Sequence, residues 1–218
     1  MTIEQSILKE IAKINTKHRI ASIYGKYSIR FELSGEGAAD SKARIHQATY
    51  RGTELFTQAI GSTQSIIAIK EWESNWLDET GENKKTIYKI LDDVVLHRNR
   101  GPFEQKYMEL DDDGRLVEKI FEEPLDCDLI VGITNFDQSQ ARQIINGIAN
   151  HEMGERPSIP QDCTFYSFNN EIAFRMYDDR GCDIWSSSIE NLRSIYENFG
   201  SWILNYNRRE IDRMFQDE

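Results

Sequence analysis

The stretch that most constrains the fold lies at residues 163–185. Apolar and aromatic residues fill 163–168, 171–177 and 182–185, and the gaps between them hold Asn169-Asn170 and Asp178-Asp179-Arg180-Gly181. Asn, Asp and Gly favour tight turns, through side-chain bonds to nearby backbone N–H groups and tolerance of positive φ. Three short strands joined by two such turns pair with their immediate neighbours, as an antiparallel meander. An all-helical chain is thereby excluded, and the sheet needs apolar cover on at least one face.

Helical periodicity supplies that cover. Ile45, Ala48, Gly52, Leu55, Phe56 and Ala59 fall on one side of a helix that Asp40 can cap and Gly61 can end in the left-handed conformation. Asp137 and Gln140 form a capping box ahead of Ala141, Ile144, Ile145 and Ile148. Ser187 and Glu190 predict another, ahead of Ile189, Leu192, Ile195, Tyr196 and Phe199, with Gly200 as the stop. Trp202, Ile203, Tyr206, Ile211, Met214 and Phe215 are the packing residues of a last helix, and Thr2 and Gln5 cap a first one carrying Ile3, Ile7, Leu8, Ile11 and Ile14. Ile87, Tyr88, Leu91, Val94 and Val95 also predict a helix, although the β-branched pair suits a strand.

Strands are predicted where Ile29, Phe31 and Leu33 alternate with Arg30 and Glu32, and again at 65–72 and 129–133. Residues 107–110 and 116–121 flank Asp111-Asp112-Asp113-Gly114 as a hairpin. If the strand at Ile29, the helix through Phe56 and the strand at 65–72 pack as a βαβ unit, the two strands are parallel neighbours. The expected fold is a single α+β domain over residues 1–218: a mixed β-sheet with antiparallel hairpins and a meander, and helices on at least one face. Pro157 and Pro160 make a stiff connector, and near 157 lies the one place that suggests a subdomain boundary.

Charge narrows the function. Lys and Arg number 26 against 37 Asp and Glu, a net charge of −11, so binding nucleic acid would work against the overall field. The longest apolar runs, near 66–69 and 129–133, fall far short of the roughly 20 residues a membrane helix needs. Glu4, Lys9, Glu10 and Lys13 interrupt the apolar residues of the N-terminus, which speaks against a signal peptide. Cys127, Cys163 and Cys182 are too widely spaced for a disulfide framework or a paired metal site. These features predict a cytoplasmic protein with no membrane or nucleic-acid partner and no metal or other cofactor.

The residues Tyr177-Asp178-Asp179-Arg180-Gly181-Cys182-Asp183, then Leu192-Arg193 with Tyr196, Trp202-Ile203-Leu204 with Tyr206 and Arg208, and Ile211 with Phe215 form a signature. It resembles that of an uncharacterised bacterial family, catalogued only as a domain of unknown function. The similarity extends upstream to Ile29-Arg30-Phe31-Glu32-Leu33 and to the helix from Ala48 to Phe56 with Arg51, and so covers most of the chain. The resemblance implies small cytoplasmic proteins of Bacillus-like bacteria, some associated with toxin or prophage regions. By association it implies an immunity-type or phage-related role, and it carries no activity.

Asp178, Asp179, Arg180 and Asp183 place three carboxylates and a guanidinium in and beside one turn, where they could coordinate a cation or hold an anion. The same residues suit a structural turn in which Gly181 supplies a positive φ. Asp111, Asp112 and Asp113 lack calcium-loop register, because Gly114 falls at the fourth position and such a loop needs glycine at the sixth. They read as an acidic hairpin tip able to contact a basic partner. His97-Arg98-Asn99-Arg100-Gly101 reads as a solvated basic loop, His18, His46 and His151 stand apart, and Cys182 reads as buried filler. Periodicity assigns Trp185, Tyr196, Trp202 and Tyr206 to packing, and leaves Trp72 and Trp76 as the exposed aromatic anchors.

The leading expectation is therefore a non-enzymatic protein-binding factor, immunity-type or phage-related, whose acidic surface meets a basic protein partner through Asp111, Asp112, Asp113, Trp72 and Trp76. The alternative is a metal-dependent enzyme acting on a phosphorylated or nucleotide ligand at the Asp178–Asp183 turn, with Arg180 on the substrate.

Overall fold

The meander forms as expected, and it occupies the middle of a larger sheet. A computed structural model describes residues 27–35, 40–72, 82–100, 106–110, 116–120 and 127–216. In chain order these give β1 (Tyr27–Glu32), α1 (Ser41–Ala59), β2 (Gln64–Trp72), α2 (Glu82–Ile90), β3 (Leu96–Arg100), β4 (Lys106–Leu110), β5 (Leu116–Ile120) and β6 (Cys127–Asn135). There follow α3 (Gln138–Glu152), β7 (Asp162–Ser167), β8 (Ile172–Met176), β9 (Gly181–Ser186), α4 (Glu190–Phe199), a 3-10 turn at Gly200–Trp202 and α5 (Asn205–Gln216). The predicted N-terminal helix and the hairpin tip at Asp111, Asp112 and Asp113 lie outside the described residues.

Seven strands pair in the order β1-β9-β8-β7-β2-β6-β3, while β4 and β5 form a separate hairpin. The chain is thus an α+β domain with an antiparallel meander. The mixed character expected of the sheet is corrected, since every pairing is antiparallel. No βαβ unit forms either, because β9, β8 and β7 stand between β1 and β2. Burial explains the order. In β2, Ile66, Ile67, Ala68 and Ile69 are all buried, so the strand needs cover on both faces and takes an interior position. β1 is apolar on one face only, and its Ile29 and Phe31 lie opposite Ile184 and Cys182 of β9.

The described helices contribute to a core on one face of the sheet, built from Phe31, Ile67, Phe165, Phe174 and Ile184 against Leu55, Ile144, Ile148, Leu192 and Ile195. Phe56 sits at its centre, edge-on to Phe165 at 4.9 Å, Phe174 at 5.4 Å and Phe136 at 5.7 Å. The opposite face carries a smaller cluster of Ile66, Ala68, Leu129 and Val131.

Asp40 accepts the Ala43 N–H at 2.8 Å and Gly61 adopts φ +63°, as predicted for the two ends of α1. Both halves of the Asp137–Gln140 capping box are present. Three local expectations are corrected. The helix through Ile87 stops at Ile90, and Val94-Val95 lie in the bend that leads into β3, since their branching disfavours helix. Ser187 does not cap α4, which begins at Glu190 behind Ile189; Ser186 Oγ instead accepts the Ser188 N–H at 3.2 Å. Gly200 remains right-handed, φ −53°, and continues into the 3-10 turn. The proline connector is tied to α3, with Asn150 donating to Pro157 O at 2.7 Å and Ile159 N–H to Gly147 O at 2.8 Å. Among the described residues no helix is long and apolar enough to cross a membrane.

Candidate functional site

The β8–β9 turn separates its carboxylates. Asp178 accepts the Arg180 backbone N–H at 2.7 Å and pairs with the Arg180 guanidinium. Asp179 turns to the helical layer, where Arg44 of α1 donates to its Oδ2 at 2.6 and 3.0 Å. Asp183 lies on the opposite face of the sheet and takes a two-pronged bond from Arg30 of β1, at 2.8 and 3.2 Å. All three carboxylates are buried, each on its own guanidinium, and they do not converge on a common point. Among the described residues no group of three or more His, Cys, Asp or Glu side chains could hold a metal ion.

Asp183 belongs to a ladder of alternating charge. Arg30, Asp183 and Arg175 are cross-strand neighbours on β1, β9 and β8, and Arg175 reaches on to Asp162 of β7 at 2.7 and 2.9 Å. Burial raises the Asp183 carboxyl above its ordinary range, while Arg30 and Arg175 pull it back. The ladder joins four strands side by side, which is a structural task.

Gly181 does not supply a positive φ. It is glycine because the Tyr177 phenol lies over it: a Cβ there would sit 2.1 Å from Tyr177 Oη and 2.8 Å from Phe31 O. Cys163 and Cys182 are buried, and burial raises both thiols well above their usual range, so neither is an activated nucleophile.

His97, Arg98, Asn99 and Arg100 form strand β3 and not the expected loop. Arg98 there pairs with Asp128 and, at 3.2 Å, with Glu71; Glu71 also accepts from Tyr88 at 3.3 Å and Gln161 at 3.1 Å. Desolvation, followed by the Glu71 charge, pushes the Tyr88 phenol up. Trp72 ends β2 opposite Cys127 in backbone register, and its side chain, like Trp76, lies outside the description.

An exposed tyrosine on α1 meets half-buried aromatics of the turn after α4. Tyr50 is 57% exposed and meets the Trp202 ring edge-on at 6.1 Å. Phe199 lies 5.0 Å from Trp202 on another side, and the Arg51 guanidinium sits 5.3 Å from its centroid while donating to Glu32 O at 3.0 Å. Trp185, Tyr196 and Trp202 do pack: Trp185 is buried, Trp202 lies partly buried against the core, and Tyr196 stacks on Phe215 at 4.1 Å while donating to Asp212. Tyr206, read as a packing residue, is 91% exposed. Sequence reading passed over Tyr50, although an aromatic residue on the polar side of an amphipathic helix is itself a signal.

Fold and site together define a small antiparallel α+β domain with a charge-locked turn and an exposed Tyr50 beside a half-buried Trp202 and Arg51. Residues 7–207 match the family model described as a domain of unknown function, DUF3885, and the chain belongs to that family. A curated relative, the uncharacterized protein YnaE of Bacillus subtilis (strain 168), is 24% identical over 70 residues. These make up 29% of this chain and 33% of that protein, so the chain spans about a third of the relative's length. No solved structure matches the chain significantly.

Proposed function

We propose that the protein is a non-enzymatic binding factor that docks on a basic protein partner in the cytoplasm. The observation that carries this reading is the exposed ring of Tyr50, which stands edge-on to the half-buried Trp202 beside Arg51. Tyr, Trp and Arg are the residues that concentrate binding energy at interfaces, because they bury large areas at low entropic cost. The net charge of −11 supports a basic partner, whose approach the field would steer. Neutralisation of a basic toxin, or a phage-related counterpart, is the narrow form of this reading. The enzyme alternative draws no support from the Asp178–Asp183 turn, whose carboxylates are all engaged.

Affinity capture with the tagged protein, washed at low and moderate salt, tests the proposal. Wild type should enrich one basic protein, Tyr50→Ala/Trp202→Ala should lose it, and Asp111→Asn/Asp112→Asn/Asp113→Asn should release it at lower salt. Capture that is indifferent to both variants would refute the reading.

A further inference from the structure

We infer that the furrow between α1 and α3, which shares Tyr50 with the aromatic patch, is a binding site for a small organic oxyanion, a phosphate ester or a carboxylate. The two helices approach closely because Gly52 faces Ile145; a Cβ on it would lie 2.8 Å from Ile145 Cγ2. Above this contact the furrow opens to about 380 Å³ between Tyr50 and Arg142, and runs into a second hollow of about 310 Å³ over Thr49 and Asn146. His46 and Arg142 line both hollows, one from each helix.

The floor is fixed in place. Asn146 donates its amide to Thr49 Oγ1 at 3.0 Å and accepts from Asn150 at 3.2 Å, and Asn150 is anchored on Pro157 O. Thr49 is 5% exposed and its oxygen is used as an acceptor, so its own hydroxyl proton remains to be donated into the furrow. Thr49 Oγ1 is thus already partnered, and it keeps one proton that an acceptor in the furrow can take.

Charge leads the same way. Arg30, Arg44, Arg98, Arg175, Arg180 and Arg193 each rest on a carboxylate, and Arg51 and Arg208 rest on backbone carbonyls. Arg142 shares with Arg209 and Arg213 of α5 the lack of such a partner among the described residues, and of these three it alone lines the furrow. A free guanidinium above a donor-bearing floor fits an oxyanion, which it can hold by two parallel bonds. Glu54 lines only the Tyr50 hollow, so the anion belongs at the Thr49 end, and the exposed Tyr50 ring covers an organic substituent.

Amide and imidazole NMR of the full chain, titrated with inorganic phosphate, phenyl phosphate and benzoate, tests the site. The Asn146 side-chain amide and His46 ring should shift on a saturable curve. Phenyl phosphate or benzoate should bind more tightly than inorganic phosphate, and their ratio tells a phosphate site from a carboxylate site. Arg142→Gln, at an exposed position, should weaken binding about tenfold or more, the scale of a lost charge-assisted hydrogen bond. Thr49→Val should weaken binding as well, Thr49→Ser should restore it, and Arg209→Gln on α5 should have no effect. Absence of furrow shifts with all three probes at about 20 mM, or an unchanged Kd in Arg142→Gln, would overturn the inference.

Discussion

The Arg44–Asp179 pair is unequal, and its two halves should respond differently to removal. The Asp179 side chain is 1% exposed and the Arg44 side chain 34%. Arg44→Met keeps the aliphatic stem but strands a carboxylate away from water, and an uncompensated buried charge costs about 3–5 kcal/mol. Because a third of the Arg44 side chain already meets solvent, some water can reach the gap, and the expected loss is about 2–4 kcal/mol. Asp179→Asn leaves an acceptor in place and lets Arg44 turn outward, at a cost of about 1 kcal/mol. For a domain whose whole stability is about 5–15 kcal/mol, urea unfolding at neutral pH and constant m resolves the two easily. The double variant should be more stable than Arg44→Met alone, since no charge is left stranded. Equal losses, or a greater loss for Asp179→Asn, would refute the reasoning.

Gly181→Ala should destabilise the domain by about 2 kcal/mol or more through overpacking, and adding Tyr177→Ala should not restore it, because Phe31 O still lies 2.8 Å from the new Cβ; thermal unfolding of the two variants decides. Asp137→Ala removes the α3 capping box and should cost about 1 kcal/mol in urea unfolding. The raised Asp183 carboxyl makes the folded state bind a proton that the unfolded chain has lost. Its contribution to stability is therefore fullest below the ordinary value of 3.8 and falls as pH rises through the native value. Unfolding of wild type and Asp183→Asn across this acidic window should show the wild-type advantage shrinking with rising pH; an advantage that grows would contradict the burial of that carboxyl.

Local chemistry was readable without coordinates. Turn residues bracket the meander, Asp137 with Gln140 announces a cap, and Gly61 marks a left-handed helix end, because each signal acts within a few residues. What reading along the chain missed depends on partners far away in sequence. The Asp178–Asp183 cluster is correctly visible as a concentration of charge, but its meaning is set by Arg44 and Arg30, 135 and 153 residues distant. Gly181 was assigned to turn geometry, whereas a tyrosine ring folding back over it is a packing fact. Val94-Val95 were read as extending a helix because their apolar spacing fits that period, whereas the helix stops at Ile90 and the pair lies in the bend ahead of β3. The furrow left no pattern at all: Thr49, Arg142 and Asn146 meet only because α1 and α3 lie side by side.

The seating of β1 against β9 sets a timetable for synthesis. β1 belongs to the first described stretch of the chain, yet its strand partner in the sheet is β9, with Arg30 and Asp183 153 residues apart. At ribosomal rates of about 5–20 residues per second, β1 waits roughly 8–30 s before its partner has been made. The meander, whose strands are local neighbours, can assemble as soon as it emerges, and the sheet is completed by an early strand returning to a late one. Any fragment that ends before Gly181 leaves β1 with its ladder groups open, a strand ready to pair with another chain.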